Sequence, residues 1–301
     1  MGNIMVLGSI STDFVVTADR RPETGETITG KDFRTTFGGK GANQAVASAR
    51  LGGNVSMVGT VGNDLFGTEL IENLKRNRID TSNVERVTHL PSGSAHITIV
   101  DGDNAIIYIP GANNAFESAR LQNLETELEK VELLVIQNEV PQEIVDDVIG
   151  LCFEKGVKVL YNPAPARTVD EGLLEKVTFM TPNESEYKTM FPELSLSEGI
   201  KKYPGKLIVT LGSKGVCYHD GSVERNVPAY VVGPVDTTGA GDTFNGAFAV
   251  GIASGLDIEA SLQLGNLAAA LSVQKFGAQG GMPTLAELKE NEHYEKTWNL
   301  E

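Results

Sequence analysis

Short apolar runs, separated by longer stretches with helical spacing, set the plan of this chain. Ile4 to Leu7, Val55 to Val58, Leu133 to Ile136, Val157 to Tyr161, Phe179 to Thr181 and Lys206 to Leu211 lack polar alternation, as strands buried on both faces do. Between them, Asp64 can cap a helix through Leu74, and another helix follows Pro141 to Phe153. Two long helices are predicted over Ala240 to Ala253 and Ile258 to Gln274, with Gly255 and Gly277 at their ends. Strands alternating with helices in this way predict an α/β fold: a doubly wound, mostly parallel sheet with helices on both faces.

Two segments break the rhythm. Residues 13–36 hold short strand-like pieces (Phe14 to Thr17, Thr27 to Thr29, Phe33 to Thr35), with Pro22 and Gly25 between them. Residues 94–109 read as a hairpin, Ile97 to Val100 and Ala105 to Ile109 around a DGDN turn. Neither segment has a helix of its own. The expectation is one small antiparallel sheet inserted twice into a body made of residues 1–12, 37–93 and 110–301. Such a sheet can cover a site as a lid, or pair with its copy in a homodimer.

Composition narrows the function. A 301-residue chain with 41% hydrophobic residues is long enough for one large α/β domain or two smaller ones. Its net charge of −15, with no basic run, argues against nucleic acid and against anionic membrane surfaces as partners. Cys152 and Cys217 form neither a disulfide framework nor a metal spacing and read as buried apolar residues. The four histidines, His89, His96, His219 and His293, lack ligand spacing. The start MGNIMVLGSI has no basic region before a long apolar core, so the cytoplasm is the expected location.

Candidate chemistry centres on VDTTGAGDTFNG, Val235 to Gly246. Gly239-Ala240-Gly241 runs straight into a helix, where unpaired N–H groups and the helix dipole attract an anion. Asp242 at the junction is either the base of a phosphoryl transfer or an ordinary helix cap. Gly38-Gly39-Lys40-Gly41 leads into a second helix start, where Asn43 can bond vicinal hydroxyls and Lys40 can touch phosphate or sugar. Asp13 follows the first strand, where α/β sheets place ligands, and can hold two hydroxyls or act as a turn residue. Asn183 and Glu186 share one face of a first helical turn and suit either a hydrated Mg²⁺ or a plain helix start. Thr210-Leu211-Gly212-Ser213-Lys214-Gly215 offers donors to phosphates and would look the same as a hairpin turn. The sequence contains no GxxxxGK[ST], no GxGxxG after the first strand and no HRDxxxxN, which excludes the P-loop, dinucleotide and protein-kinase readings.

GSISTD, FGGKGANQA, GAN at Gly111 to Asn113, NPAPA, TPNESE, TLGSKG and DTTGAGDTFNGA occur in that order along essentially the whole chain. Together they resemble the ribokinase-like (PfkB) family of carbohydrate kinases, and FGGKGANQ with NPAPA points to its ribose-phosphorylating branch. The resemblance implies ATP-dependent phosphorylation of D-ribose at O5, with Mg²⁺ required and K⁺ activating. Asp242 would be the base, and Gly239, Ala240 and Gly241 the anion hole. Ser11, Asp13, Gly39, Lys40, Asn43 and Glu139 would line the sugar site. Asn183, the Thr210 to Gly215 turn and Asn266 would border ATP, and Glu186 would support Mg²⁺. Asp236, Thr238, Ser272, Lys275, Gly277 and Gly281 would hold K⁺, mostly through backbone carbonyls. The resemblance also implies a β lid and a lid-to-lid homodimer.

The chain departs from the common pattern at three positions. Ser11 stands where many members have Asn, Gly281 where Ser is frequent, and Asn266 where some have His. Ser11 leaves 2-deoxyribose open as the substrate. A nucleoside, a fructose phosphate, or a non-catalytic sugar sensor on the same scaffold are the remaining alternatives.

Overall fold

The computed structural model describes residues 2–101 and 103–300. The chain opens with β1 (Asn3–Leu7), β2 (Ser11–Thr17), β3 (Asp32–Gly38), α1 (Lys40–Arg50), β4 (Asn54–Gly62), α2 (Leu65–Arg76) and β5 (Asp80–Val87). Next come β6 (Gly93–Val100), β7 (Asp103–Ile109), α3 (Ala119–Leu128), β8 (Leu133–Ile136), α4 (Gln142–Lys155) and β9 (Lys158–Tyr161). They are followed by α5 (Glu171–Lys176), β10 (Phe179–Met180), α6 (Glu184–Met190), α7 (Leu196–Lys202), β11 (Ile208–Thr210), β12 (Val216–His219) and β13 (Glu224–Val227). The described chain ends in α8 (Ala240–Ala253), α9 (Ile258–Ser272), α10 (Ala278–Gly281) and α11 (Leu285–Glu290).

Six strands form a parallel sheet in the order β10-β9-β8-β1-β4-β5. The antiparallel β11-β12-β13 extends it through single parallel bridges, Met180 to Leu207 and Asn183 to Thr210. Side chains of β1 alternate between two cores. Ile4 and Val6 join one with Val55, Met57 and residues of α1, α8 and α9. Met5 and Leu7 join the other with Val58, Leu134, Ile136 and residues of α3 and α4. With apolar side chains required on both faces, the strand reads as a continuous run. The strand order reverses at β1, so its carboxyl end and that of β8 flank the crevice where such sheets bind ligands.

Helix α8 is buried on almost every side, between α1 and α9. Its contact with α1 is close: a Cβ on Gly246 would lie 2.6 Å from the Ala47 Cβ and 2.9 Å from the Gln44 carbonyl oxygen. Ser48 Oγ donates to the Gly246 carbonyl at 3.1 Å across the same contact. One turn towards the N-terminus, this contact sets Asp242 against Asn43 and Gln44.

The inserted sheet has the order β3-β2-β6-β7. Its outer pairs are antiparallel as expected, but its central pair, β2 with β6, is parallel. The two excursions therefore join side by side and in the same direction. The strands begin at Ser11 and Gly93, slightly ahead of the expected boundaries, and β3 runs on to Gly38. Thr27 to Thr29, expected as a strand, is irregular; residues 19–27 are exposed and Thr27 to Thr29 have no ladder partner. The expected DGDN turn includes Gly102, which lies outside the described residues. Strand β5 gave no apolar run because it is an edge strand with mostly exposed or half-buried positions.

Candidate active site

Asp242 lies in the first turn of α8, behind Gly239 in the left-handed conformation at φ 78°. Its side chain is buried, with Oδ2 accepting from Asn43 Nδ2 at 2.9 Å and Oδ1 from Gln44 Nε2 at 3.0 Å. A helix start leaves its first N–H groups without intrahelical partners. Here Ala240 N–H donates weakly to the Thr237 carbonyl at 3.3 Å, leaving those of Gly241 and Asp242 for an anion. These residues line one cleft with Lys40, Asn162, Asn183, Glu186, Thr210 and Thr237.

On the other side of Asp242, at the carboxyl ends of β1 and β8, a second polar group converges. Glu139 Oε2 accepts from Ser9 Oγ at 2.5 Å and from the Lys40 N–H at 3.0 Å. Asp13 rises from β2 over Gly38, and both Asp13 and Ser11 are buried. Burial, together with the charges of Glu139 and Asp242, raises the Asp13 pKa to about 7, although the Ser11 hydroxyl opposes the shift. Burial likewise raises Glu139, with Lys40, Ser9 and the Lys40 N–H opposing. Burial disfavours a charged Lys40, but Asp242, Glu139 and Glu186 more than offset it, and its pKa is raised. Lys40 is thus a retained cation among carboxylates, standing between the two groups.

Asn183 caps α6 and forms a capping box with Glu186: Asn183 N–H donates to Glu186 Oε2 at 2.8 Å, and Glu186 N–H to Asn183 Oδ1 at 2.9 Å. Burial raises the Glu186 pKa and Asp242 adds to it, against the Asn183 N–H and Lys40. The Thr210 to Gly215 segment is the turn of the β11–β12 hairpin. Thr210 reaches the cleft, whereas Gly212, Ser213 and Lys214 are exposed beyond it, and Leu211 N–H donates to the Gly215 carbonyl at 2.8 Å.

Residues 1–285 match the pfkB family carbohydrate kinases. The chain is 52% identical over 290 residues to a ribokinase of Bacillus subtilis, covering 96% of this chain and 99% of that protein. The chain belongs to the pfkB family of carbohydrate kinases. It is also 36% identical over 299 residues to a deoxyribokinase of Salmonella typhi, covering 96% and 98% of the two chains. Its fold superimposes on an Arabidopsis thaliana ribokinase complexed with ribose and ATP with a TM-score of 0.86, at 30% identity over 96% of this chain and 98% of that one.

Within this pfkB-family site, the remaining expected positions separate into three groups. Asp236, Gly277 and Gly281 draw two loops together: Asp236 Oδ1 accepts from the Thr238 N–H and Oδ2 from the Gly277 N–H, both at 2.9 Å. Burial would raise Asp236, but those N–H groups prevail and its pKa is lowered. Its carboxylate thus joins the two loops. A Cβ at Gly281 would collide with the Ser272 carbonyl oxygen, so glycine is what permits this carbonyl to pack there. Lys275 turns its side chain outward to Glu287 at 2.7 Å, and Ser272 Oγ donates to Ala269 at 2.8 Å. Asn266 donates to the Val227 and Pro228 carbonyls at 3.0 and 3.1 Å, anchoring the segment after β13.

Several residues of this pfkB-family site were given no role by the sequence. Tyr108 reaches from β7 to the floor of the lid, its hydroxyl accepting from Asn113 Nδ2 at 3.2 Å beside Ser9, Asp13 and Glu139. Burial and the Glu139 charge raise its pKa. Asn113 brackets the Ile10 backbone, accepting at 2.9 Å and donating at 3.1 Å. Gln44 was legible in principle, since positions 40, 43 and 44 share one helix face. Gln279 carries no local signal, and Asn162, although it opens the NPAPA segment, gives no local sign of its partner Gln44.

Proposed function

We propose that this chain transfers the γ-phosphoryl group of ATP to O5 of D-ribose, giving D-ribose 5-phosphate and ADP. The supporting observation is the buried Asp242 carboxylate at the start of α8, between the Asp13–Glu139 group and the cleft bearing Lys40, Asn183 and Thr210. The Bacillus subtilis relative, at 52% identity, supports ribose as the acceptor.

Ribose would lie on the Asp13, Asn43, Glu139 side with O5 towards Asp242. The carboxylate accepts the O5 proton as O5 forms a bond to the γ-phosphorus. The bond from that phosphorus to the bridging oxygen breaks, and its electron pair leaves with ADP. N–H groups of Gly241 and Asp242 face the transferring oxygens, where fixed donors stabilise developing charge without reorganising. Lys40 adds its positive charge.

Mg²⁺ would supply charge neutralisation on the phosphates. Among the described residues no cluster of three His, Cys, Asp or Glu is arranged to hold a metal, so the phosphates themselves would carry the ion, with Glu186 bonding its water. K⁺ fits the Asp236–Gly281 loops through their carbonyls. The inserted sheet, with Phe33 and Ile107 exposed on it, would act as lid and as homodimer surface. A cytoplasmic location suits a reaction that draws on ATP and a chain with two free thiols. Among the described residues no helix is long and apolar enough to cross a membrane.

A specific observation keeps 2-deoxyribose as a second reading: Ser11 is buried near Asp13, and its short hydroxyl side chain stands where many members have Asn. ADP release with ribose, 2-deoxyribose, hexoses and nucleosides, each in K⁺ or Na⁺, separates the readings. Ribose with K⁺ is expected to give the highest kcat/KM. ADP from none of them would leave the sensor reading in its place.

Asp13 makes the activity pH-dependent. Its folded pKa of about 7 exceeds the ordinary 3.8, so its contribution to stability is full below about pH 4 and is lost as pH rises through 7. Sugar hydroxyls donate to the ionised form. The kcat/KM for ribose is therefore expected to rise with pH to a plateau above about 7, with a one-proton slope below it. A flat profile from about pH 5.5 to 8 would show that ribose binding does not depend on a group titrating near 7.

A further inference from the structure

Two chains of buried side-chain amides end on Asp242. In the first, Asn73 Nδ2 donates to Gln279 Oε1 at 2.8 Å, Gln279 Nε2 to Asn43 Oδ1 at 3.0 Å, and Asn43 Nδ2 to Asp242 Oδ2 at 2.9 Å. In the second, Gln137 Nε2 donates to Gln44 Oε1 at 2.7 Å, and Gln44 Nε2 to Asp242 Oδ1 and to Asn162 Oδ1, both at 3.0 Å. Every member is buried.

The carboxylate dictates the direction of both chains. An ionised carboxylate only accepts, so Asn43 and Gln44 must present their NH₂ groups to it. Their carbonyl oxygens then face away and require donors, which fixes Gln279 and Gln137 in turn. Gln137 bears the consequence: its Oε1 is buried without a partner, close against Gly8. Local satisfaction would not choose that arrangement, whereas a donor row aimed at Asp242 requires it. Aligned amides polarise one another, so each chain delivers more positive potential than its last member alone.

We infer that Gln279 and Gln44 are positioning residues for the base: through these amides they fix the orientation of the Asp242 carboxylate while it faces the acceptor hydroxyl. The inference rests on the kinase reading. Gln279 is not among the residues that line the cleft at Asp242. It comes from α10, between Gly277 and Gly281, so the loop proposed for the monovalent cation also supplies the link between Asn73 and Asn43.

The decisive variants are Gln279→Met and Gln279→Leu, of similar size but with no polar atom able to donate. At saturating ribose and ATP, kcat is expected to fall about tenfold at pH 8, while KM for ATP stays within about twofold. In an Asp242→Asn background neither change should lower the residual rate further, whereas a merely structural role would lower it equally. Thermal melts confirm that the variants compared are folded, and Gln44→Met takes the place of any that is not. Wild-type kcat in the folded variants overturns the inference. Absence of ribose-dependent ADP release from wild type would instead overturn the kinase reading beneath it.

Discussion

Asp242→Asn is expected to lower kcat by roughly a hundred- to ten-thousandfold, the span a positioned general base contributes, while leaving ribose affinity within a few fold. The carboxylate is the one group at the start of α8 able to take the O5 proton beside the anion-binding N–H groups. The substitution keeps the shape and removes the basicity. It also turns one NH₂ towards Asn43 or Gln44, both of which already donate to this position, so one of these amides must rotate. A modest loss in melting temperature should accompany the loss of turnover. Steady-state ADP release gives kcat, and the ribose-dependent rise in melting temperature gives binding. Near wild-type turnover would falsify the assignment of Asp242 as base.

Gly39→Ala is expected to destabilise the fold by about 3 kcal/mol or more, combining left-handed strain with overpacking. Gly39 sits at φ 89°, and a Cβ there would lie 2.8 Å from the Ser9 carbonyl oxygen and 2.9 Å from Ile10 Cα and Ser11 N. All three contacts are backbone, so no side chain can swing away. Relief requires the turn between β1 and β2 to shift, which carries Ser11 and Asp13 with it. The KM for ribose should then rise by at least about tenfold, in line with one lost charged hydrogen bond. Gly280→Ala is the control, since its Cβ would meet nothing within 4 Å and its φ is ordinary. Equal melting temperatures for the two variants would show that the turn is plastic and that Gly39 does not hold it in place.

Positions whose signal is local were readable from the chain. The inner strands announced themselves because both their faces are buried, and the glycine turns did so because backbone must approach backbone there. Asp64 was legible as a cap, and its side chain accepts from the Gly67 N–H at 2.7 Å. Edge strands β5 and β13 were not legible, because their exposed positions leave too little apolar pattern, and β12, buried between β11 and β13, is only four residues long. The family resemblance implied a place for Asn266 beside ATP, and the fold adds that its amide donates to the Val227 and Pro228 carbonyls.

By itself, then, the sequence determined the alternation of elements, the helix starts able to receive an anion and the presence of a carboxylate at one of them. Each follows from residues within one turn or one strand of each other, where chain connectivity sets the distance. Only the tertiary structure decided how that carboxylate is held. Asn43, Gln44, Asn73, Gln137, Asn162 and Gln279 lie up to 236 residues apart along the chain and meet because Gly246 lets α8 press against α1 and because β1 marks the reversal of strand order. A side-chain amide has no pattern that announces its partner. Its hydrogen bonds depend on a geometry that exists only once the layers have packed.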